Sequence, residues 1–207
     1  MEKSKHREIP AAKGLEFGKT LTSYDPPQEP SEHLKDTVFG LIHVYYGSGV
    51  GKTTRAVGLA VRAAGEGYGV HFVQFMKSGN SGETAIFSLL ANVHYWCPGE
   101  HPFILSSGPR AEHYDHAKNA LSYALAAAEK GAHLLICDEI LDTLTFDILQ
   151  KHQLLELIAK CKGIVELVMT GRSVPAEILE QADYATEFVQ IKHPYTRGSV
   201  ARKGIEY

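Results

Sequence analysis

A chain of 207 residues, 44% hydrophobic and 22% charged, is large enough for one domain with a real core and has an ordinary globular composition. A net charge of −3 supplies no field to gather nucleic acid or anionic lipid, and no apolar stretch approaches the ~18 residues of a membrane span, so neither partner is expected. The cysteines, Cys97, Cys137 and Cys161, are odd in number and far apart; they make neither zinc-ligand pairs nor a disulfide framework, which suits a reducing cytoplasm.

Residues 1 to 37 read as a separate segment. They hold four of the nine prolines (Pro10, Pro26, Pro27, Pro30), charges of both signs and no sustained periodicity, which predicts an extended or partly disordered arm. Its opening, MEKSKHREIP, is charged but leads into no apolar core, so it does not read as a secretory signal. From Val38 the pattern changes, and a domain over residues 38–207 is expected.

VFGLIHVYY (38–46) is a β-rich run stopped by glycines, and TTRAVGLAVRAAGEG (53–67) is an Ala-rich helix with Gly65 and Gly67 as stop signals. Strands follow at 69–75 and 92–96, then a long helix over 111–131 that ends on Gly131. HLLICDE (133–139) is a strand, 150–160 a helix, IVELVMTG (164–171) a strand, VPAEILEQA (174–182) a short helix, and YATEFVQI (184–191) a last strand. Strands alternating with helices, and apolar on both faces, predict an α/β fold. Its sheet would be a mostly parallel, phosphate-loop (RecA-like) one of five or six strands with helices on both faces. Ligands of such sheets sit beyond the carboxyl ends of the strands, where GSGVGKTT, CDE and TGR are all expected to face one crevice.

GSGVGKTT (47–54) lies between a strand and a helix but departs from the usual G-x-x-x-x-G-K-[ST] spacing: its first glycine is Gly47, one place late. Gly47, Gly49 and Gly51 allow the backbone to turn N–H groups inward, and the following helix N-terminus completes an anion site. Lys52 brings a cation to phosphates, and the Thr53 hydroxyl can ligate Mg2+ or Mn2+. Asp138 and Glu139 close an apolar strand, as acids partnering such a loop do. Neighbours on a strand point opposite ways, so one of the two is expected to reach the metal. In VQFMKSGNSGETAIF (73–87), Gln74, Lys77 and Glu83 leave a strand for a loop that would overhang the nucleotide; solvated loop polarity explains Lys77 and Glu83 equally well.

GSGVGKTTRAVGLAVRAAG, VQFMKSGNSGE, LLICDEI, MTGRSVPAEILEQADYATEF and IKHPYTRGSVARKGIEY, in this order from about Gly40 to Tyr207, resemble the ATP:corrinoid adenosyltransferases. The resemblance implies transfer of the 5′-deoxyadenosyl group from ATP to the cobalt of a reduced cob(I) corrinoid such as cobalamin, with release of triphosphate. The nucleotide would lie reversed relative to ordinary phosphate-loop ATPases, presenting its 5′-carbon rather than its γ-phosphate. It further implies that Gly47, Ser48, Gly49, Val50, Gly51, Lys52, Thr53 and Thr54 hold triphosphate, and that Thr53 with Glu139 or Asp138 holds Mg2+. Arg62 and Arg172 match family arginines. A flavoprotein reductase would dock transiently, and a homodimer is left open.

Two departures stand out against that resemblance. The family carries a Phe-x-Trp-like pair after the third strand, where this chain has HYWCPGEHPFILSSG (94–108). Phe103 takes the first place, Leu105 stands where tryptophan is wanted, and Trp96 lies earlier. The wall beneath the corrinoid would be Phe103 with Ile104 or Leu105, or Trp96 from another direction; the alternative is that both aromatics are ordinary core residues, the more frequent fate of aromatics. Val50 stands where relatives often have lysine. The basic ending, with Lys192, His193, Arg197, Arg202 and Lys203, either closes over the corrinoid or is a solvated tail. His193 is not expected to ligate cobalt, because forming cob(I) removes axial ligands. Two other readings fit the loop alone: a corrinoid- or ATP-binding carrier without turnover, and a phosphate-loop small-molecule kinase. An ATP-switched DNA-binding protein is disfavoured by the acidic balance.

Overall fold

The computed structural model describes residues 39–206, so the expected arm over 1 to 37 lies outside the described residues. Six strands build one sheet: β1 (Ile42–Tyr46), β2 (Val70–Gln74), β3 (Val93–Trp96), β4 (Leu134–Asp138), β5 (Glu166–Gly171) and β6 (Tyr184–Glu187). They lie in the order β3-β2-β4-β5-β1-β6, and every neighbouring pair is parallel. The helices are α1 (Lys52–Gly65), α2 (Glu83–Phe87), α3 (Ala111–Glu129), α4 (Asp142–Thr145), α5 (Lys151–Cys161) and α6 (Ala176–Leu179), followed by a 3-10 turn at Pro194–Arg197. Among the described residues no helix is long and apolar enough to cross a membrane.

Alternation along each strand feeds two apolar layers. Leu134, Ile136, Phe72 and Val168 pack with Ala56 and Ala60 of α1 and Phe87 of α2. Leu135, Cys137, Val73, Leu167 and Met169 pack on the opposite face with α3 and α5. Burying a side chain such as Phe72 stabilises the fold by about 1.5–3 kcal/mol. Helix α1 turns the small side chains Ala56 and Ala60, one turn apart, toward the sheet, and both are fully buried. Helix α3 does the same with Ala117, Ala120, Ala124, Ala127 and Ala128. It stops where Gly131 takes φ 78°, its N–H donating to Ala128 O and that of Ala132 to Ala127 O.

The observed elements differ from expectation in three places. The segment 73–87 is a loop only in part, because Glu83–Phe87 forms a short helix that plants Phe87 in the core. A second short helix, Asp142–Thr145, follows β4. Four or five residues are too few for a 3.6-residue period to show in a sequence. The last strand ends at Glu187 rather than residue 191. Its partner β1 ends at Tyr46, so from Phe188 the chain pairs with the loop after β1.

Candidate functional site

The glycine loop is clamped between its two neighbours in the sheet. Gly47 N–H donates to Arg172 O (3.1 Å) and Gly49 N–H to Phe188 O (2.7 Å), while Phe188 N–H donates to Tyr46 O (2.7 Å). A Cβ on Gly47 would stand 2.4 Å from Phe188 O, and one on Gly49 2.8 Å from the Phe188 carbonyl. These two glycines are therefore required by the close approach of the Phe188 backbone, and their N–H groups are committed to Arg172 O and Phe188 O. The expectation that all three glycines point N–H groups at an anion is corrected here, because β5 and β6 flank β1 and take two of them. What remains for an anion is the start of α1, where the N–H groups of Lys52, Thr53 and Thr54 have no intrahelical acceptor. Lys52 Nζ folds back onto the loop, donating to Gly47 O (2.8 Å) and Gly49 O (2.7 Å). Burial lowers its pKa, and the nearby Arg172 charge adds to this against the pull of Asp142, Glu139 and Asp138.

Asp138 is the hub of the site. Its carboxylate is fully buried at the end of β4 and accepts from Thr53 Oγ1 (3.0 Å), Thr170 Oγ1 (2.8 Å) and Lys77 Nζ (2.7 Å), with Gln74 Nε2 at 3.4 Å. Three sheet strands, the loop after β2 and the helix start thus converge on one carboxyl group. Glu139 follows with φ 62°, in the left-handed region, its N–H held by Thr170 Oγ1 (2.8 Å). That turn breaks strand alternation, so Glu139 does not point away from Asp138 as expected: its Oε1 stands 3.7 Å from the same Lys77 Nζ. Burial pushes the Glu139 carboxyl up to about 7, against the opposing pull of Lys77. Burial also opposes the charge of Lys77, yet the Asp138 and Glu139 carboxylates outweigh it and hold that pKa above the ordinary lysine value.

Of the other expected residues, Gln74 and Glu83 join this network: Gln74 Nε2 donates to Glu83 Oε1 (3.3 Å), and Tyr95 OH donates to Gln74 Oε1 (2.7 Å). Arg172 flanks the loop through its backbone, its N–H donating to Asp142 Oδ1 (2.6 Å), and its side chain is exposed. Ser48 and Val50 lie on the open side of the loop. Arg62 is exposed in the last turn of α1, about 15 Å along the helix from Lys52 at 1.5 Å per residue. Lys192 and His193 precede the 3-10 turn, where His193 Nδ1 accepts from Tyr195 N–H (3.1 Å). Trp96 ends the edge strand and stacks on Tyr123 of α3, centroids 5.0 Å apart and planes 5° from parallel. Phe103 is 92% exposed and Leu105 65%, whereas Ile104 packs on the core. A cavity of about 270 Å³ is lined by Ser78, Asn80, Glu100, His101, Pro102 and Glu112.

Four contributors escaped the sequence reading. Thr170, in the TGR strand end, orients both acids. Asp142, the first residue of α4, faces Lys52 and Arg172, and its position four residues after Asp138 is a usable signal. Tyr95 and Phe188 carry no sequence mark of their role, since both act through neighbours that only the sheet order supplies.

Known proteins resemble this chain over most of its length. A family model described as ATP:corrinoid adenosyltransferase BtuR/CobO/CobP matches residues 39–207. A corrinoid adenosyltransferase of Pseudomonas aeruginosa is 32% identical over 173 residues, covering 81% of this chain and 84% of that protein. One of Escherichia coli K12 is 30% identical over 176 residues, covering 81% and 86%. The corrinoid adenosyltransferase CobA of Salmonella typhimurium is 28% identical, again covering 81% and 86%.

Proposed function

The chain belongs to the ATP:corrinoid adenosyltransferase family and transfers an adenosyl group from ATP to a corrinoid; from that premise we propose how its residues divide the work. The transferase domain is residues 38–207, supported by the family match over 39–207. In the proposed reaction the cob(I) centre of the substrate attacks C5′ of ATP. A cobalt–carbon bond forms, the C5′–O bond breaks, and triphosphate leaves with the electron pair. The nucleophile carries no proton, so the site requires no general base. What the protein supplies is position and charge neutralisation.

The triphosphate lies over the N-terminus of α1, where the N–H groups of Lys52, Thr53 and Thr54 and the helix dipole favour an anion. Lys52 leaves the Gly47 and Gly49 carbonyls to meet it, the open side of the loop at Ser48, Val50 and Gly51 lines its path, and Arg172 with its exposed side chain flanks the loop. The Thr53 hydroxyl and the Asp138 and Glu139 carboxylates are hard oxygen donors, and two carboxylates plus phosphate oxygens are a common way to hold Mg2+. Bound there, Mg2+ or Mn2+ would neutralise charge on the departing triphosphate. Thr170 and Gln74 fix the acids, and Glu83 and Tyr95 fix Gln74. Phe103, projecting from the segment after β3, offers the corrinoid an apolar face together with Ile104 or Leu105, while Trp96 is held away by its stack on Tyr123. Lys192 and His193 belong to the corrinoid side through the exposed C-terminal segment, whose cations suit amide and carboxylate side chains. A flavoprotein supplies the electron that makes cob(I), by transient docking. The three free thiols support a cytoplasmic setting.

The observation that carries this reading is the convergence of Thr53, Lys77, Gln74 and Thr170 on one buried carboxylate beside an open helix N-terminus. The test is product analysis with ATP and chemically reduced cobalamin. Inorganic triphosphate in a one-to-one ratio with adenosylated corrinoid is expected; ADP as the main product would overturn the nucleotide orientation.

A further inference from the structure

Lys77 occupies the place in the site where a divalent ion is wanted. Its ammonium donates to Asp138 Oδ2 at 2.7 Å and to Thr53 Oγ1 at 3.1 Å, and stands 3.7 Å from Glu139 Oε1. All three oxygens assigned above to the metal are therefore gathered around one lysine nitrogen. The Asp138 side chain has no exposure and that of Lys77 has 25%, so the pair is shielded on the acid's side and open on the lysine's. The backbone on either side of Lys77 is held. Phe75 N–H donates to Asp138 O (3.0 Å), and the Cys97 thiol donates to Lys77 O (3.1 Å). The ammonium can move by side-chain rotation over its four-carbon stem, while the backbone stays in place.

We infer that the Lys77 ammonium is the resident cation of the Thr53–Asp138 seat in the nucleotide-free protein, and that a divalent ion takes that seat only by displacing it. Two cations a few ångströms apart in a partly desolvated site repel strongly. A displaced ammonium left without an anion would be costly as well. A triphosphate at the start of α1 would resolve both difficulties: Lys77 Nζ already stands 3.1 Å from Thr53 Oγ1 in that first turn, so an anion there would re-pair the charge that the metal expels. Metal and nucleotide consequently bind with positive coupling, and each alone binds weakly. The device keeps the buried Asp138 charge compensated throughout the cycle. It also keeps the metal seat closed to divalent ions that arrive without a nucleotide. This inference rests on Thr53 and Asp138 being the metal-binding end of the site.

The test uses the full chain and Mn2+ as the probe, with free Mn2+ followed by its electron paramagnetic resonance signal and no corrinoid present, so ATP is not consumed. In Lys77→Met, Mn2+ without nucleotide is expected to bind at least about tenfold more tightly than to wild type. Adding ATP should then tighten Mn2+ less in the variant than in wild type. Mn2+ alone should also raise the melting temperature of Lys77→Met more than that of wild type, since it restores the cation that Asp138 has lost. Equal Mn2+ affinity of the two proteins without nucleotide would overturn the inference. So would wild type binding Mn2+ as tightly without ATP as with it, a measurement that does not depend on the variant folding. Asp138→Asn separates the underlying reading: if Mn2+ with ATP binds that variant as well as wild type, the metal does not sit at Asp138, and it is the site assignment that fails.

Discussion

The cradle at the carboxyl ends of β1, β4 and β5 and the segment 97–108 after β3 are opposites in construction. In the cradle a buried carboxylate is held by Thr53, Thr170 and Lys77, and the glycine loop is pressed against Phe188 with no room for a methyl group. In the segment, Phe103 and Leu105 stand in solvent, and a single isolated bridge joins Leu105 to Gly108. The cradle is organised before its ligand arrives, whereas the segment presents apolar surface still to be covered. The contrast follows from what each receives. A polyanion must meet fixed, oriented charges, because reorienting them during reaction would cost the advantage. A large, flat substrate gains mainly from buried area, which a projecting aromatic delivers.

Substitutions should divide along the same line. The largest effect is expected for Asp138→Ala, which leaves a partly buried ammonium and two hydroxyls without their acceptor. Stability should fall by about 3 kcal/mol in urea unfolding and turnover by at least about a hundredfold. Gly49→Ala should cost about 2 kcal/mol, because its Cβ meets backbone atoms of Phe188 that cannot rotate aside. Thr170→Val removes a hydroxyl that donates to Asp138 and accepts from Glu139 N–H; about 1–2 kcal/mol and a fall in kcat with little change in the ATP half-saturation are expected.

A smaller effect comes from acid. Burial, with the neighbouring His94 and Lys130 charges, lowers His71 to about 4, and burial with His116 and His113 does the same to His101. Folded-state values below the unfolded value of about 6.5 mean that the unfolded chain binds more protons in between. Stability is therefore complete above the unfolded value and falls as pH drops from there toward about 4, where the loss levels off. Glu139, pushed up to about 7 by burial, has the opposite sign and offsets part of this loss, so urea midpoints measured from pH 7 to 4 should decline by less than the two histidines alone would give, and His101→Gln should flatten part of that decline. The smallest change in stability is expected for Phe103→Ala, within about 0.5 kcal/mol, because the side chain is 92% exposed and has little packing to lose. Its effect should appear instead as a raised half-saturation for corrinoid at unchanged ATP dependence. A fall in stability matching that of Thr170→Val would erase the distinction between the two regions.

The sequence by itself determined the alternation of strands and helices, the two-faced apolar sheet and the glycine loop between strand and helix. These are local patterns, legible because side-chain direction repeats every two residues in a strand and every 3.6 in a helix. It also placed Asp138 and Glu139 at a strand end. Only the tertiary structure decided what those groups do. The parallel order β2-β4-β5-β1 sets Gln74, Asp138, Thr170 and Thr53 side by side although up to 117 positions separate members of that set, as Thr53 and Thr170 show. It spends two loop N–H groups on Phe188 and Arg172, and it puts Lys77 in a seat that reads as a metal's. The turn at Glu139 aims both acids at one cation, against the alternation a strand would impose. The physical reason is common to all of these. A residue's pattern of neighbours along the chain fixes which way its side chain leaves the backbone, but the charge it meets there is carried by another strand.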